Sequence, residues 1–86
     1  MLNGRWVTTR RIAERIGKDE DFSFFITESV NKFLQHDWGD TCSEDWKLND
    51  DAVKYSNDRI VARYDNIFII TEWDRSVTTI LFTDEY

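Results

Sequence analysis

The sequence predicts an α+β domain: an N-terminal strand, then two helices packed on one face of an antiparallel sheet that ends in a three-stranded meander. Three observations carry that expectation. Apolar residues recur at helical spacing from Asp21 onwards, the period falls to two after Asn57-Asp58, and short polar turns divide the last three β-rich runs. The chain has 86 residues, no proline and three glycines. It therefore shows no linker, repeat or low-complexity stretch, and residues 1–86 read as a single domain.

The elements follow in order. Arg5-Trp-Val-Thr-Thr-Arg-Arg-Ile12 begins with β-favouring residues and predicts a first strand, with a helical turn over Arg11–Ile16 as the alternative. Phe22, Ile26, Val30 and Phe33 fall four, four and three residues apart, with Phe25 and Leu34 flanking them. That is one face of a helix. Asp19, Glu20 and Asp21 stand at its start, where the helix dipole favours negative charge. Its end is expected at Gln35 to Asp37, with Gly39 free to turn left-handed beyond it. Ser43 reads as the N-cap of a second helix, with Glu44 and Asp45 in its first turn and Trp46, Asn49, Ala52 and Val53 on its inner side. Asn57-Asp58 ends it. Arg59–Tyr64, Asn66–Trp73 and Val77–Phe82 are the three strands, joined at Asp65-Asn66 and at Asp74-Arg75-Ser76. Ile67-Phe68-Ile69-Ile70 is apolar on both faces, as a central strand would be.

Composition removes several classes of function. Thirteen aromatics (4 Trp, 3 Tyr, 6 Phe) and 41% hydrophobic residues are too many for a disordered tail, and in so short a chain they must supply much of the core. No apolar run approaches the roughly 18 residues of a membrane span, and no charged-then-apolar leader opens the chain. A single cysteine, Cys42, excludes an intrachain disulfide and fits a reducing cytoplasm. The net charge of -6 argues against a general nucleic-acid binder.

That charge is unevenly placed. Residues 1–18 carry Arg5, Arg10, Arg11, Arg15 and Lys18 against Glu14 alone, whereas residues 19–58 carry eleven acids against three lysines. The two segments either pair within the fold or form separate patches.

Two clusters hold the chemistry-bearing side chains. The first, His36-Asp37-Trp38-Gly39-Asp40-Thr41-Cys42, contains the only histidine and the only cysteine. A Cys–His pair is a possible activated nucleophile, but such cysteines usually sit in an electropositive environment, and Glu44 and Asp45 follow this one. His36, Asp37, Asp40 and Cys42 are also metal-type donors, yet their spacing matches no zinc or calcium motif. A structural reading explains the residues better: an aspartate capping free backbone N–H groups, Gly39 turning the chain, Trp38 filling the core between the helices. In the second cluster, Thr71-Glu72-Trp73-Asp74-Arg75-Ser76, a clamp between Arg75 and a carboxylate is expected to fix the turn. No catalytic, metal or cofactor-binding residue is assigned, and no cofactor is expected.

Asp37-Trp38-Gly39-Asp40, Glu44-Asp45, Asn49, Arg59-Ile60 and Tyr64, and above all Ile69-Ile70-Thr71-Glu72, Asp74 to Phe82 and Asp84-Glu85-Tyr86, resemble a family of small proteins. Its members are carried on plasmids, integrative elements and prophages of Firmicutes and are labelled "plasmid-related protein". The resemblance covers residues 37–86, and its ending is the specific part. Trp73 stands where a small residue is expected and Thr83 where proline is expected. The resemblance implies a mobile-element or phage accessory protein with no established activity. Small acidic proteins of such elements often act by binding, some as anti-CRISPR or other anti-defence inhibitors.

Charge and resemblance together lead to one expectation: stoichiometric binding of a host or defence protein that offers a basic surface. Asp37, Asp40, Glu44, Asp50 and Asp51 form the docking stretch, and Trp73 adds an exposed contact. Two alternatives stand beside it. One is a metal-dependent or Cys/His enzyme centred on residues 36–42, and the other is a DNA-binding accessory protein using Arg5, Arg10, Arg11 and Arg15.

Overall fold

A computed structural model describes residues 4–86. In chain order it contains β1 (Arg5–Thr8), α1 (Arg10–Lys18), α2 (Glu20–Leu34), α3 (Ser43–Tyr55), β2 (Ile60–Tyr64), β3 (Ile67–Thr71), β4 (Val77–Phe82) and a 3-10 turn at Thr83–Glu85. The class is α+β.

The first strand is shorter than expected and a helix replaces its second half. Thr9 is the reason: its Oγ1 accepts the Ile12 N–H at 3.4 Å and caps α1. Beyond that cap the residues do not alternate; Ile12 and Ile16 stand one turn apart, Ile12 fully buried and Ile16 packed against the core. Asp19 then ends α1 and starts α2, accepting the Phe22 N–H at 3.1 Å. That hydrogen bond holds the Asp19 carboxyl below its usual range. Phe22, Ile26 and Phe33 are buried as their spacing predicts and Val30 packs beside them, whereas Leu34 lies at the surface.

The end of α2 is a Schellman motif with histidine in the position glycine usually takes. His36 has φ 62°, its N–H donates to the Phe33 carbonyl at 3.1 Å, and the Asp37 N–H reaches the Lys32 carbonyl at 2.9 Å. Helix α3 is capped by Cys42 rather than Ser43 and without a side-chain hydrogen bond, the thiol being a poor acceptor. It closes at Ser56, left-handed at φ 52°, before the expected Asn57-Asp58.

The sheet order is β1-β4-β3-β2. The last three strands form the expected antiparallel meander, but β1 runs parallel to β4, so the sheet is mixed rather than purely antiparallel. Parallel neighbours require a crossover, and here the intervening helices provide it. Gly4 makes the pairing possible at its start: any Cβ there would collide with the Arg75 and Ser76 carbonyl oxygens. Ile60, Ala62, Tyr64, Ile67, Ile69, Ile80 and Phe82 share one sheet face, and Ile12, Phe22, Ile26, Phe33, Trp38 and Ala52 close over it. Ile70 and Leu81 are buried on the other face, outside that core.

The C-terminus locks the fold. Glu85 Oε1 accepts the Thr9 hydroxyl at 2.9 Å and the Phe82 N–H at 2.8 Å. Both Asp84 oxygens receive the Arg11 guanidinium, at 2.8 and 3.3 Å. The Tyr86 ring packs on Phe68.

Candidate functional site

The acidic stretch begins in the loop between α2 and α3, where Trp38 is the anchor. Its side chain is fully buried, edge-on to Phe33 (5.3 Å between ring centres) and stacked with His36 at 5.5 Å. Its indole N–H donates to Asp50 Oδ1 at 2.9 Å. An aromatic with one polar atom, buried at the start of a loop, demands such an acceptor, and Asp50 reaches over from α3 to supply it.

Around this anchor the loop seals one edge of the sheet. Strand β2 is an edge strand, and an edge with free N–H and C=O groups invites pairing with another chain. Here each outward group has a partner. Asn49 grips Val61 with both ends of its amide, Nδ2 to the carbonyl at 2.9 Å and Oδ1 from the N–H at 3.1 Å. Thr41 Oγ1 accepts the Arg63 N–H at 2.9 Å, and the Asp40 N–H donates to the Arg63 carbonyl at 2.8 Å. Asp40 Oδ2 takes the Asp65 N–H at 2.7 Å. Gly39, at φ 63°, passes so close to Tyr64 that a Cβ would overlap its ring. Asp37 holds that bend by accepting the Gly39 N–H at 3.0 Å, while its carbonyl takes the Tyr64 hydroxyl at 2.7 Å. Burial, with Asp37 nearby, pushes the Tyr64 hydroxyl above its usual pKa.

Asp37, Asp40 and Asp50 are thus fixed in place by neutral donors, which orient a carboxylate without cancelling its charge. Glu44 and Asp51 make no side-chain hydrogen bond among the described residues; Glu44 is exposed and Asp51 half-buried on α3. The ion pairs among the described residues are Arg10–Glu14, Arg11–Asp84 and Arg15–Asp19. None involves residues 37–58. Arg10 therefore pairs within its own helix and Arg11 with Asp84. Arg15 pairs with Asp19, the one acid of residues 19–58 that is in an ion pair among the described residues; Arg5 and Lys18 make none there. Arg11 and Arg15 also lie over the Phe82 and Phe22 rings at 4.9 and 4.8 Å.

Trp73 stands 67% exposed at the β3–β4 tip. The tip is clamped by Arg75, but its partners are carbonyls and not the carboxylate that sequence suggested. The guanidinium donates to Ala52 O at 2.8 Å, to Glu72 O and Trp73 O at 3.2 Å, and to Asp58 O. Ala52 O lies at the negative end of the α3 dipole, where it also accepts the Ser56 N–H, and the turn carbonyls of Glu72 and Trp73 complete the site for the cation. Asp74 bonds instead to the Ser76 N–H and hydroxyl, at 3.0 and 2.6 Å, which lowers its pKa.

His36 and Cys42 do not meet through a hydrogen bond among the described residues; His36 stacks on Trp38 and Cys42 lies exposed at the α3 N-cap. No group of three or more His, Cys, Asp or Glu side chains among the described residues is arranged to hold a metal ion. No helix among them is long and apolar enough to cross a membrane.

Sequence reasoning missed the edge-sealing role of Asn49, Thr41 and Asp40. The signal was an asparagine on the apolar side of α3, since a buried amide must find partners. Comparison with family models, with curated proteins and with solved structures returns no match to this chain.

Proposed function

We propose that this protein is a mobile-element or phage accessory protein that binds a host or defence protein stoichiometrically, as an anti-CRISPR or other anti-defence inhibitor would. Its acidic stretch, Asp37, Asp40, Glu44, Asp50 and Asp51, docks on a basic surface of the partner, with Trp73 as an exposed contact at the hairpin tip. One observation carries the reading: these carboxylates are held by neutral donors or by nothing, and none has a cation within ion-pair distance among the described residues. Opposite potentials on two surfaces steer encounter and set orientation. The alternative basic face, Arg5, Arg10, Arg11 and Arg15, offers less, because three of its four arginines already hold carboxylates. The acidic stretch is a moderate mimic of nucleic acid at most, since a duplex carries one charge per roughly 1.7 Å.

Immobilised protein incubated with host cytoplasm tests this. A basic protein should be retained at low salt and released as ionic strength rises past about 0.3 M. Retention of nucleic acid instead, or retention indifferent to salt, contradicts the proposal.

A further inference from the structure

The outer side of α3 carries a second pattern. Glu44, Leu48, Asp51 and Tyr55 are spaced four, three and four residues apart, so they form one stripe along the helix. Leu48 and Tyr55 are each 60% exposed, far more than large apolar residues need to be in a fold that buries Ile12, Phe33 and Trp38 completely. The two acids of the stripe have no cation within ion-pair distance among the described residues, although Lys47 and Lys54 lie on the same helix. Leu48 also forms part of the wall of a groove of about 340 Å³ beside α3, whose apolar side is Val61, Phe68 and Tyr86 and whose polar side is Asp45, Asn49, Asp58 and Arg59.

We infer that this stripe is the seat of a cationic amphipathic helix of the partner; the inference rests on the acidic-docking reading and narrows it to one partner shape. Leu48 and Tyr55, two turns apart, give a second helix an apolar ridge to pack on, and Glu44 and Asp51 offer it acidic contacts. Leucine-like side chains of the partner cover Leu48 and Tyr55, and arginines reach Glu44 and Asp51 with their stems along the apolar ridge. An incoming strand is not accommodated here, because Asn49, Thr41 and Asp40 have already taken the hydrogen-bonding groups of the adjacent β2 edge. From Glu44 to Tyr55 the ridge runs about 16 Å, three turns of helix. Lys47 and Lys54 border it on one side, with the Lys54 ammonium 5.3 Å from the Tyr55 ring centre, and favour a partner helix with an acid on that flank.

The test uses a synthetic helical peptide of three to four turns with leucine and arginine on one face, and the same peptide with glutamine for arginine. Each is titrated into isotopically labelled protein and followed residue by residue by NMR. Saturable one-to-one binding of the arginine peptide, with shifts concentrated on 44–55, is expected. The glutamine peptide should bind roughly tenfold more weakly, and so should the arginine peptide to a Leu48→Ala, Tyr55→Ala variant whose melting is unchanged. Saturable shifts centred on Asp37 and Asp40, or a double variant that binds like the wild type, overturn the ridge while leaving acidic docking standing. No saturable binding at all overturns the ridge, and acidic docking is then decided by the salt-dependent capture experiment.

Discussion

The basic and acidic segments of this chain treat their charges in opposite ways. In the first, Arg10 meets a carboxylate within α1, while Arg11 and Arg15 each meet a carboxylate and cover an aromatic ring, and so tie α1 to Asp84 and to the α2 cap. In the second, Asp37, Asp40 and Asp50 accept from a glycine N–H, a main-chain N–H and an indole, and Glu44 and Asp51 accept from nothing among the described residues. The difference teaches that hydrogen bonding and charge compensation are separable. A loop can be held rigid by its aspartates and still present their full negative potential.

Phe33 joins the two regions, touching Trp6 of β1 at 6.0 Å and Trp38 of the acidic loop at 5.3 Å. Phe33→Ala should therefore weaken both, at a cost of about 3–5 kcal/mol. In a domain this small that leaves much of the population unfolded. A denaturant melt near wild type would show that the regions do not share a core.

Asn49→Ala should cost less, about 2 kcal/mol, because two groups of the β2 edge lose their partner in a buried place. It should also leave the edge open to pairing, so light scattering on the variant should rise with concentration. If stability and association both match wild type, the edge is not sealed by Asn49.

Acid titration sharpens the contrast. Asp84 has its pKa lowered, first by the Arg11 hydrogen bond, and Asp19 has its pKa lowered, first by the Phe22 N–H. A carboxylate whose folded pKa is depressed stabilises fully above its ordinary value of 3.8 and loses that contribution as pH falls through the folded value. Thermal melts between about pH 6 and pH 2 should thus show an acid limb that is slightly shallower in Asp84→Asn than in the wild type, because the pair is at the surface. An unchanged limb would mean the Arg11–Asp84 contact does not persist in solution.

The smallest effect on folding is expected where the effect on function is largest. Glu44→Lys with Asp51→Lys should shift stability by about 0.5 kcal/mol or less per site. A large loss would place these side chains in the fold's own network.

Much of this architecture was legible because local pattern and global packing agree: the Phe22–Phe33 stripe, the inner side of α3, the hairpin at Asp65-Asn66 and the meander all follow from periodicity and turn chemistry. What was not legible depends on partners distant in sequence. Thr9 looks like a strand residue until Ile12 is seen to need burial. The direction of β1 is set by β4, more than sixty residues away. Arg75 had carboxylates beside it in sequence, yet it binds carbonyls of its own turn together with those of Ala52, at the end of α3, and Asp58. In the acidic stretch, the sequence showed the charges but not their separate tasks. Asp37, Asp40 and Asp50 resemble Glu44 and Asp51 in composition, and only the fold distinguishes anchored carboxylates from unoccupied ones.

The measurement that bears most directly on the acidic stretch is a parallel capture experiment with three proteins: wild type, Glu44→Lys with Asp51→Lys, and Arg10→Ala with Arg11→Ala, each confirmed folded by its melt. Binding to the partner retained by the wild type is measured at about 50 mM and about 300 mM salt. The expected result is that the arginine variant binds like wild type, while the lysine variant binds more weakly and with less sensitivity to salt. Loss of binding in the arginine variant with retention in the lysine variant would contradict it, and would make the basic N-terminal segment the working face.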